Sequence, residues 1–118
     1  MNTEQELFAL ERQFWTGDAE FYRKNLDDKC LIAFTEMAGL MGKDEIASMI
    51  KDGQRWGDLS LDKKGSLELP GDATFITYEA SAKRPNGESY KAVVSSGYVR
   101  RNGAWKMAFH QQTPLKTE

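Results

Sequence analysis

The stretch from Thr74 to Pro114, TFITYEASAKRPNGESYKAVVSSGYVRRNGAWKMAFHQQTP, decides how this chain folds. It holds two Asn-Gly pairs, Asn86-Gly87 and Asn102-Gly103, each set between runs rich in β-branched and aromatic residues. Asn-Gly in that setting is the strongest short-range hairpin signal, because a type I′ turn needs positive φ at both central residues. The stretch therefore predicts three antiparallel strands. Taking Asn102-Gly103 as a two-residue loop places Arg101 opposite Ala104, Tyr98 opposite Met107 and Ser96 opposite Phe109.

Register then assigns the faces. One face carries Val94, Ser96, Tyr98, Trp105, Met107, Phe109 and Gln111. The same argument through Asn86-Gly87 adds Phe75, Thr77, Glu79 and Ser81 to it. The other face carries Ile76, Tyr78, Ala80, Val93, Ser95, Gly97, Val99, Ala108, His110 and Gln112. The first face holds the bulkier side chains, each contributing about 1.5–3 kcal/mol when buried, and is expected to be the core face. The second, flatter and partly apolar, suits a two-fold interface between copies of the chain, with His110 on it. A bulge in either strand would swap the assignment locally.

Upstream the period changes. Thr3-Glu4-Gln5-Glu6 has the form of a capping box, and Leu7, Leu10, Glu11 and Phe14 then fall on one side of a helix, flanked by Phe8 and Trp15. Gly17 stops that helix and Asp18 caps a second one from about Ala19 to Leu26. Lys29 to Thr35 is a short apolar run, expected to be a strand buried on both faces, and Glu36 to Met41 a second short strand. After Gly42, Ile46, Met49 and Ile50 stripe a third helix ending by Gly53, with Trp56 in the loop beyond. Leu59, Leu61, Leu67 and Leu69 alternate with polar residues on one long strand, with Gly65 as its bulge. Helices first and strands after give an α+β layout, with three helices packed on a curved antiparallel sheet.

The 118 residues, 40% apolar and 29% charged, suffice for one domain spanning 1–118 with a real core. A net charge of −2 gives no pull toward nucleic acid or anionic membrane. Cys30 is the lone cysteine, so it forms no intrachain disulfide, and in its apolar run it reads as a small hydrophobe. With one histidine and one cysteine, no metal site is expected, and Gly39-x-x-Gly42 lacks the glycines of a dinucleotide loop. No apolar stretch reaches secretory or membrane-spanning length, so no membrane partner and a cytoplasmic location are expected.

The segment Ser95 to Pro114, with its Arg-Arg, Asn-Gly, Trp and His-Gln-x-Thr-Pro elements, resembles the C-terminal hairpin of the nuclear transport factor 2-like superfamily. More narrowly it resembles the SnoaL-like branch called domain of unknown function 4440, and the likeness extends over nearly the whole chain. That resemblance implies a cone-shaped, cystatin-like α+β fold, usually a homodimer, with a cavity between helices and sheet. Relatives include ketosteroid isomerases, dehydratases, polyketide cyclases and the association domain of calmodulin-dependent kinase II. Ser96 stands where that association domain has a cavity arginine, so anion binding there does not carry over. Phe14 and Trp15 replace the isomerase tyrosine, and no aspartate falls on the expected core face.

On the expected core face Thr77, Glu79, Ser96 and Gln111 are the polar exceptions, and such groups line a cavity or need partners. With Tyr98 from the sheet and Trp15, Tyr22, Phe34 and Trp56 from the helical side, they form the candidate ligand-binding set. Glu79 and Glu36 are the candidate acid–base carboxylates, since a carboxylate desolvated beside aromatics can shuttle protons. The reading that follows is a homodimer, without cofactor, binding a small apolar or carbonyl-containing molecule. The alternative is a lyase or isomerase using a pocket carboxylate.

Overall fold

In the computed structural model, residues 2–51 and 55–116 are described. In chain order they form α1 (Thr3–Thr16), α2 (Ala19–Asn25), β1 (Leu26–Ala33), β2 (Ala38–Gly42), α3 (Lys43–Ala47), β3 (Gly57–Leu69), β4 (Ala73–Lys83), β5 (Ser89–Arg101) and β6 (Ala104–Pro114). The strands make one six-stranded sheet in the order β2-β1-β6-β5-β4-β3. All pairings are antiparallel except β1 with β6, which run parallel, so the sheet departs from a wholly antiparallel one at that seam. The helices cover one face. Among the described residues no helix is long and apolar enough to cross a membrane.

The capping box of α1 starts one residue earlier than the sequence pattern suggests. Asn2 accepts from the Gln5 backbone N–H, and the Gln5 side chain accepts from the Asn2 N–H, so two orphan donors are satisfied reciprocally. Leu7, Phe8, Glu11, Phe14 and Trp15 are the buried stripe. Gly17 ends the helix because the chain folds tightly there: a Cβ would lie 2.6 Å from the Gln13 carbonyl oxygen. Asp18 then caps α2 by accepting from the Phe21 N–H at 2.9 Å. α3 is shorter than its apolar stripe implies, ending at Ala47, and the expected stop at Gly53 lies outside the described residues. β1 buries one face only, with Cys30 and Ile32 inside and Leu31 facing out.

The two Asn-Gly reversals close differently. At the second, Asn102 (φ 50°) and Gly103 (φ 81°) are both left-handed, and Arg101 pairs with Ala104 as a type I′ loop requires. At the first, Lys83 pairs with Ser89, and Arg84 N–H bonds to the Glu88 carbonyl. Here Gly87 has φ 91° while Asn86 is not left-handed, so the loop has three residues, Pro85 to Gly87. One residue added to a hairpin loop shifts the parity of the incoming strand and turns its side chains over. Thr74, Ile76, Tyr78, Ala80 and Ala82 therefore face the core, and Phe75, Thr77, Glu79 and Ser81 face out.

A bulge makes a second correction. Tyr98 pairs with Met107, yet Gly97 pairs with Phe109, leaving Ala108 as an extra residue in β6. Trp105 and Met107 point inward as expected, but beyond Ala108 the alternation reverses. His110 and Gln112 turn to the helical side, and Phe109 and Gln111 turn out. β3 carries the bulge expected near Gly65, with Lys64 as the unpaired residue between Lys63↔Tyr78 and Gly65↔Thr77. Such bulges bend strands, and the bend lets a short set of helices close over one face.

Candidate ligand cavity

Between the helices and the concave face lies a cavity of about 560 Å³. Phe14, Trp15 and Tyr22 line it from α1 and α2, and Leu26, Cys30, Ile32 and Met107 from the sheet. Phe34, Met37, Ile46, Met49, Ile50 and Trp56 complete the apolar wall. The aromatic members brace one another: Trp15 meets Trp56 at 5.2 Å between ring centres, and Trp56 meets Tyr90 at 4.9 Å. Polar groups enter at few places, namely Glu36, Arg55, His110, Gln112 and the Tyr22 hydroxyl. Arg55 Nη2 donates to the Phe14 carbonyl at 2.6 Å and to Tyr22 Oη at 2.9 Å, which fixes its guanidinium against the helix ends.

Behind the His110 end of the cavity is a buried polar cluster centred on Glu11. Glu11 has no exposed surface. Its Oε1 accepts from Tyr78 Oη at 2.5 Å and from Ser96 Oγ at 2.9 Å, and its Oε2 accepts from Tyr98 Oη. Trp15 Nε1 donates to Tyr78 Oη at 2.9 Å, which leaves the tyrosine proton for Glu11. Burial is the main reason both phenols are pushed up from their ordinary range, and the Glu11 charge adds to it.

From Glu11 the hydrogen bonds run on to the cavity. Ser96 Oγ lies 2.7 Å from His110 Nδ1, His110 Nε2 lies 2.9 Å from Gln112 Nε2, and Tyr90 Oη donates to Gln112 Oε1 at 2.8 Å. Burial lowers the His110 pKa from its ordinary value, and Glu11, 4.0 Å from Nδ1, works in the opposite sense. Cys30 is pushed up to about 12, mainly by burial, and stays a thiol. Among the described residues no group of three or more His, Cys, Asp or Glu side chains comes together to hold a metal ion.

The residues singled out from the sequence divide into three sets. Trp15, Tyr22, Phe34, Trp56 and Glu36 line the cavity. Ser96 and Tyr98 lie beneath it, joined to Glu11. Thr77, Glu79 and Gln111 are on the opposite face of the sheet, because the three-residue first loop and the Ala108 bulge turn them over. There Thr77 donates to the Val94 carbonyl at 2.9 Å and Gln111 bonds Thr113. His110 moves the other way, from the outer face to the cavity. Glu11, Gln112 and Arg55 were not in the sequence set. For Glu11 a signal existed: a carboxylate at the i+4 position of the Leu7 stripe has to be buried with partners.

No protein-family profile matches the chain, and no curated protein matches it. Solved structures do. A nuclear transport factor 2-like protein of unknown function from Prochlorococcus marinus is 14% identical, with a TM-score of 0.80 over 100% of this chain and 97% of that one. A nuclear transport factor 2-like protein of unknown function in nutrient uptake from Rhodospirillum rubrum is 13% identical, with a TM-score of 0.80 over 98% and 100%. A protein from Parabacteroides distasonis named as a candidate ketosteroid isomerase is 12% identical, with a TM-score of 0.68 over 98% and 89%. The chain has the nuclear transport factor 2-like fold.

Proposed function

We propose that this protein binds a small, mostly apolar molecule in the cavity between helices and sheet. The observation that carries the reading is the cavity itself: about 560 Å³, walled by aromatic and aliphatic side chains, with a few convergent polar groups. That size and lining are those of sites that bury small organic ligands. Titration with anilinonaphthalene sulfonate, followed by its emission and by quenching of Trp15 and Trp56, tests it. Saturable binding is expected, weakened about tenfold, or 1.4 kcal/mol, in Met49→Trp, which fills the wall from a half-exposed position. Binding that is absent, or indifferent to that substitution, would sink the reading.

The outer face of the sheet is proposed as the contact between two copies of the chain. Its support is a transverse row of directly paired residues: Leu67, Phe75, Gly97, Phe109, Leu31 and Leu40, one from each strand. Leu40 is 66% exposed, Leu67 58% and Leu31 49%, a continuous apolar stripe that a two-fold partner would cover. His110 is no part of it. Sedimentation equilibrium at micromolar concentration is expected to give a dimer, and Leu67→Lys with Phe75→Lys a monomer. A monomeric parent protein would overturn this part.

A lyase or isomerase acting on a carbonyl compound is the second reading. Of the two carboxylates considered for it, Glu36 stands at the cavity wall and Glu79 does not. Unchanged turnover of every carbonyl substrate in Glu36→Gln would remove Glu36 from that role.

A further inference from the structure

Glu11 is a buried carboxylate whose nearest group able to carry positive charge, among the described residues, is His110 Nδ1 at 4.0 Å. A carboxylate held without a cation is an unfavourable arrangement for the fold alone. The donor roles around it are determined link by link. Ser96 gives its only proton to Glu11 Oε1, so it must receive one from His110 Nδ1–H. Tyr90 donates to Gln112 Oε1, so the Gln112 amide nitrogen donates to His110 Nε2. The histidine is therefore neutral, with its proton on Nδ1 and its lone pair on Nε2, at the polar end of an apolar cavity.

Resting on the reading of the cavity as a ligand site, we propose that His110 Nε2 is a general base that removes a proton from carbon in a bound apolar molecule, with Glu11 and Ser96 as its positioning residues. The substrate class is a carbon acid, an apolar compound whose C–H is activated by an adjacent electron-withdrawing group such as a carbonyl. In the step the C–H bond breaks, its proton passes to Nε2, and its electron pair stays on the substrate as an enolate or expels a leaving group. The imidazolium keeps its Nδ1–H on Ser96, and the Glu11 carboxylate supplies the countercharge. It then returns its proton to another carbon of the enolate or to solvent. The Gln112 amide N–H that occupies Nε2 must turn aside, and becomes a donor for the developing oxyanion.

Glu11 from α1 lies 4.0 Å from His110 Nδ1; Tyr78 from β4 and Tyr98 from β5 bond that carboxylate, and Tyr90 from β5 bonds the Gln112 amide that meets Nε2. Tyr22 from α2, Cys30 from β1, and Glu36 and Arg55 on the connecting segments share the cavity wall with the imidazole. Burial dominates among their effects and keeps Nε2 unprotonated at neutral pH.

The test uses 5-nitrobenzisoxazole, in which a base takes the ring C–H proton, the N–O bond breaks, and the coloured cyanonitrophenolate leaves. The wild-type protein is expected to release it saturably. The rate should rise through a midpoint below the ordinary histidine value of about 6.5 and stay flat at neutral pH. His110→Gln should lose about a hundredfold in kcat with an unchanged circular dichroism spectrum. Ser96→Ala and Glu11→Gln should each lower kcat by less than His110→Gln does and move the midpoint lower, because each removes something that stabilises the imidazolium; Ser96→Ala serves alone if Glu11→Gln fails to fold. Equal rates in wild type and His110→Gln would overturn the proposal. So would a probe that displaces anilinonaphthalene sulfonate without being turned over, which leaves the cavity reading intact. Failure of both compounds to bind would overturn the cavity reading and this inference with it.

Discussion

Ser96 Oγ and His110 Nδ1 lie 2.7 Å apart on neighbouring strands, and they do so because Ala108 is an extra residue in β6. Without that bulge Ser96 would face Phe109, and the imidazole would point away from the helices. A single residue thus joins a carboxylate on the first helix to the wall of the cavity. The contact also couples stability to pH.

His110 is held neutral by burial, so its pKa in the folded protein is below that of the unfolded chain. Between the two values the unfolded state binds more protons, and stability rises with pH. Its contribution is complete above about pH 6.5 and falls away as pH drops through the folded value. Urea unfolding at a series of pH values from 7.5 to 5 should show this decline, and His110→Gln should flatten it. A decline of the same size in the variant would assign it to carboxylates instead.

Glu11 satisfies three buried hydroxyls at once, from Tyr78, Ser96 and Tyr98. Glu11→Ala strands all three donors and opens a cavity, and should cost about 3 kcal/mol or more. Glu11→Gln keeps one acceptor and should cost less. Urea midpoints of the two variants give the comparison, and equal losses would mean that volume, not hydrogen bonding, is what Glu11 supplies.

At Gly97 the rings of Phe75 and Phe109 lie over the backbone, with centroids 6.2 Å apart. A Cβ there would be 2.6 Å from Phe75 Cε1 and 3.2 Å from Phe109 Cβ. Gly97→Ala should destabilise by about 1–3 kcal/mol, the usual cost of overpacking. Most of that loss should disappear in the double variant with Phe75→Ala, a coupling that a double-mutant cycle measures directly. Additive effects would mean the ring swings aside freely.

The two hairpin loops should respond differently to alanine. Asn102 is left-handed at φ 50°, a conformation that costs an ordinary residue roughly 1–2 kcal/mol, so Asn102→Ala should lower stability by about 1 kcal/mol and Asn102→Gly should be nearly neutral. Asn86 is not left-handed, and its loss on substitution is confined to the two bonds its side chain makes to Glu88, accepting from the N–H at 3.0 Å and donating to Oε1 at 2.6 Å. Thermal melts of the variants distinguish the two cases.

Cys30 lines the cavity as a thiol raised to about 12, so Ellman's reagent at pH 8 should meet a thiolate fraction of about 1 in 10,000. Labelling is expected on unfolding and not before. Fast labelling of the native protein would show an open route to the β1 wall.

The end of α1, the start of α2, the strand runs and both reversals could be read from local spacing, because Gly17, Asp18 and the Asn-Gly pairs act within a few residues of themselves. The α+β layout, the first-helix stripe and the inward aromatics Trp15, Tyr22, Phe34 and Trp56 followed from that. Which face of β4 met the helices did not, since two identical Asn-Gly pairs close loops of different length. Facing depends on whether a count is odd or even, so one extra residue in a loop and one in a bulge exchanged Glu79 for Tyr78 and Gln111 for His110. The same holds for Glu11: its helical position was plain, but its partners come from strands more than sixty residues away and meet it only when sheet and helix pack. Backbone conformation is chosen by near neighbours; a polar cluster is assembled by packing, and packing is where this cavity acquired its chemistry.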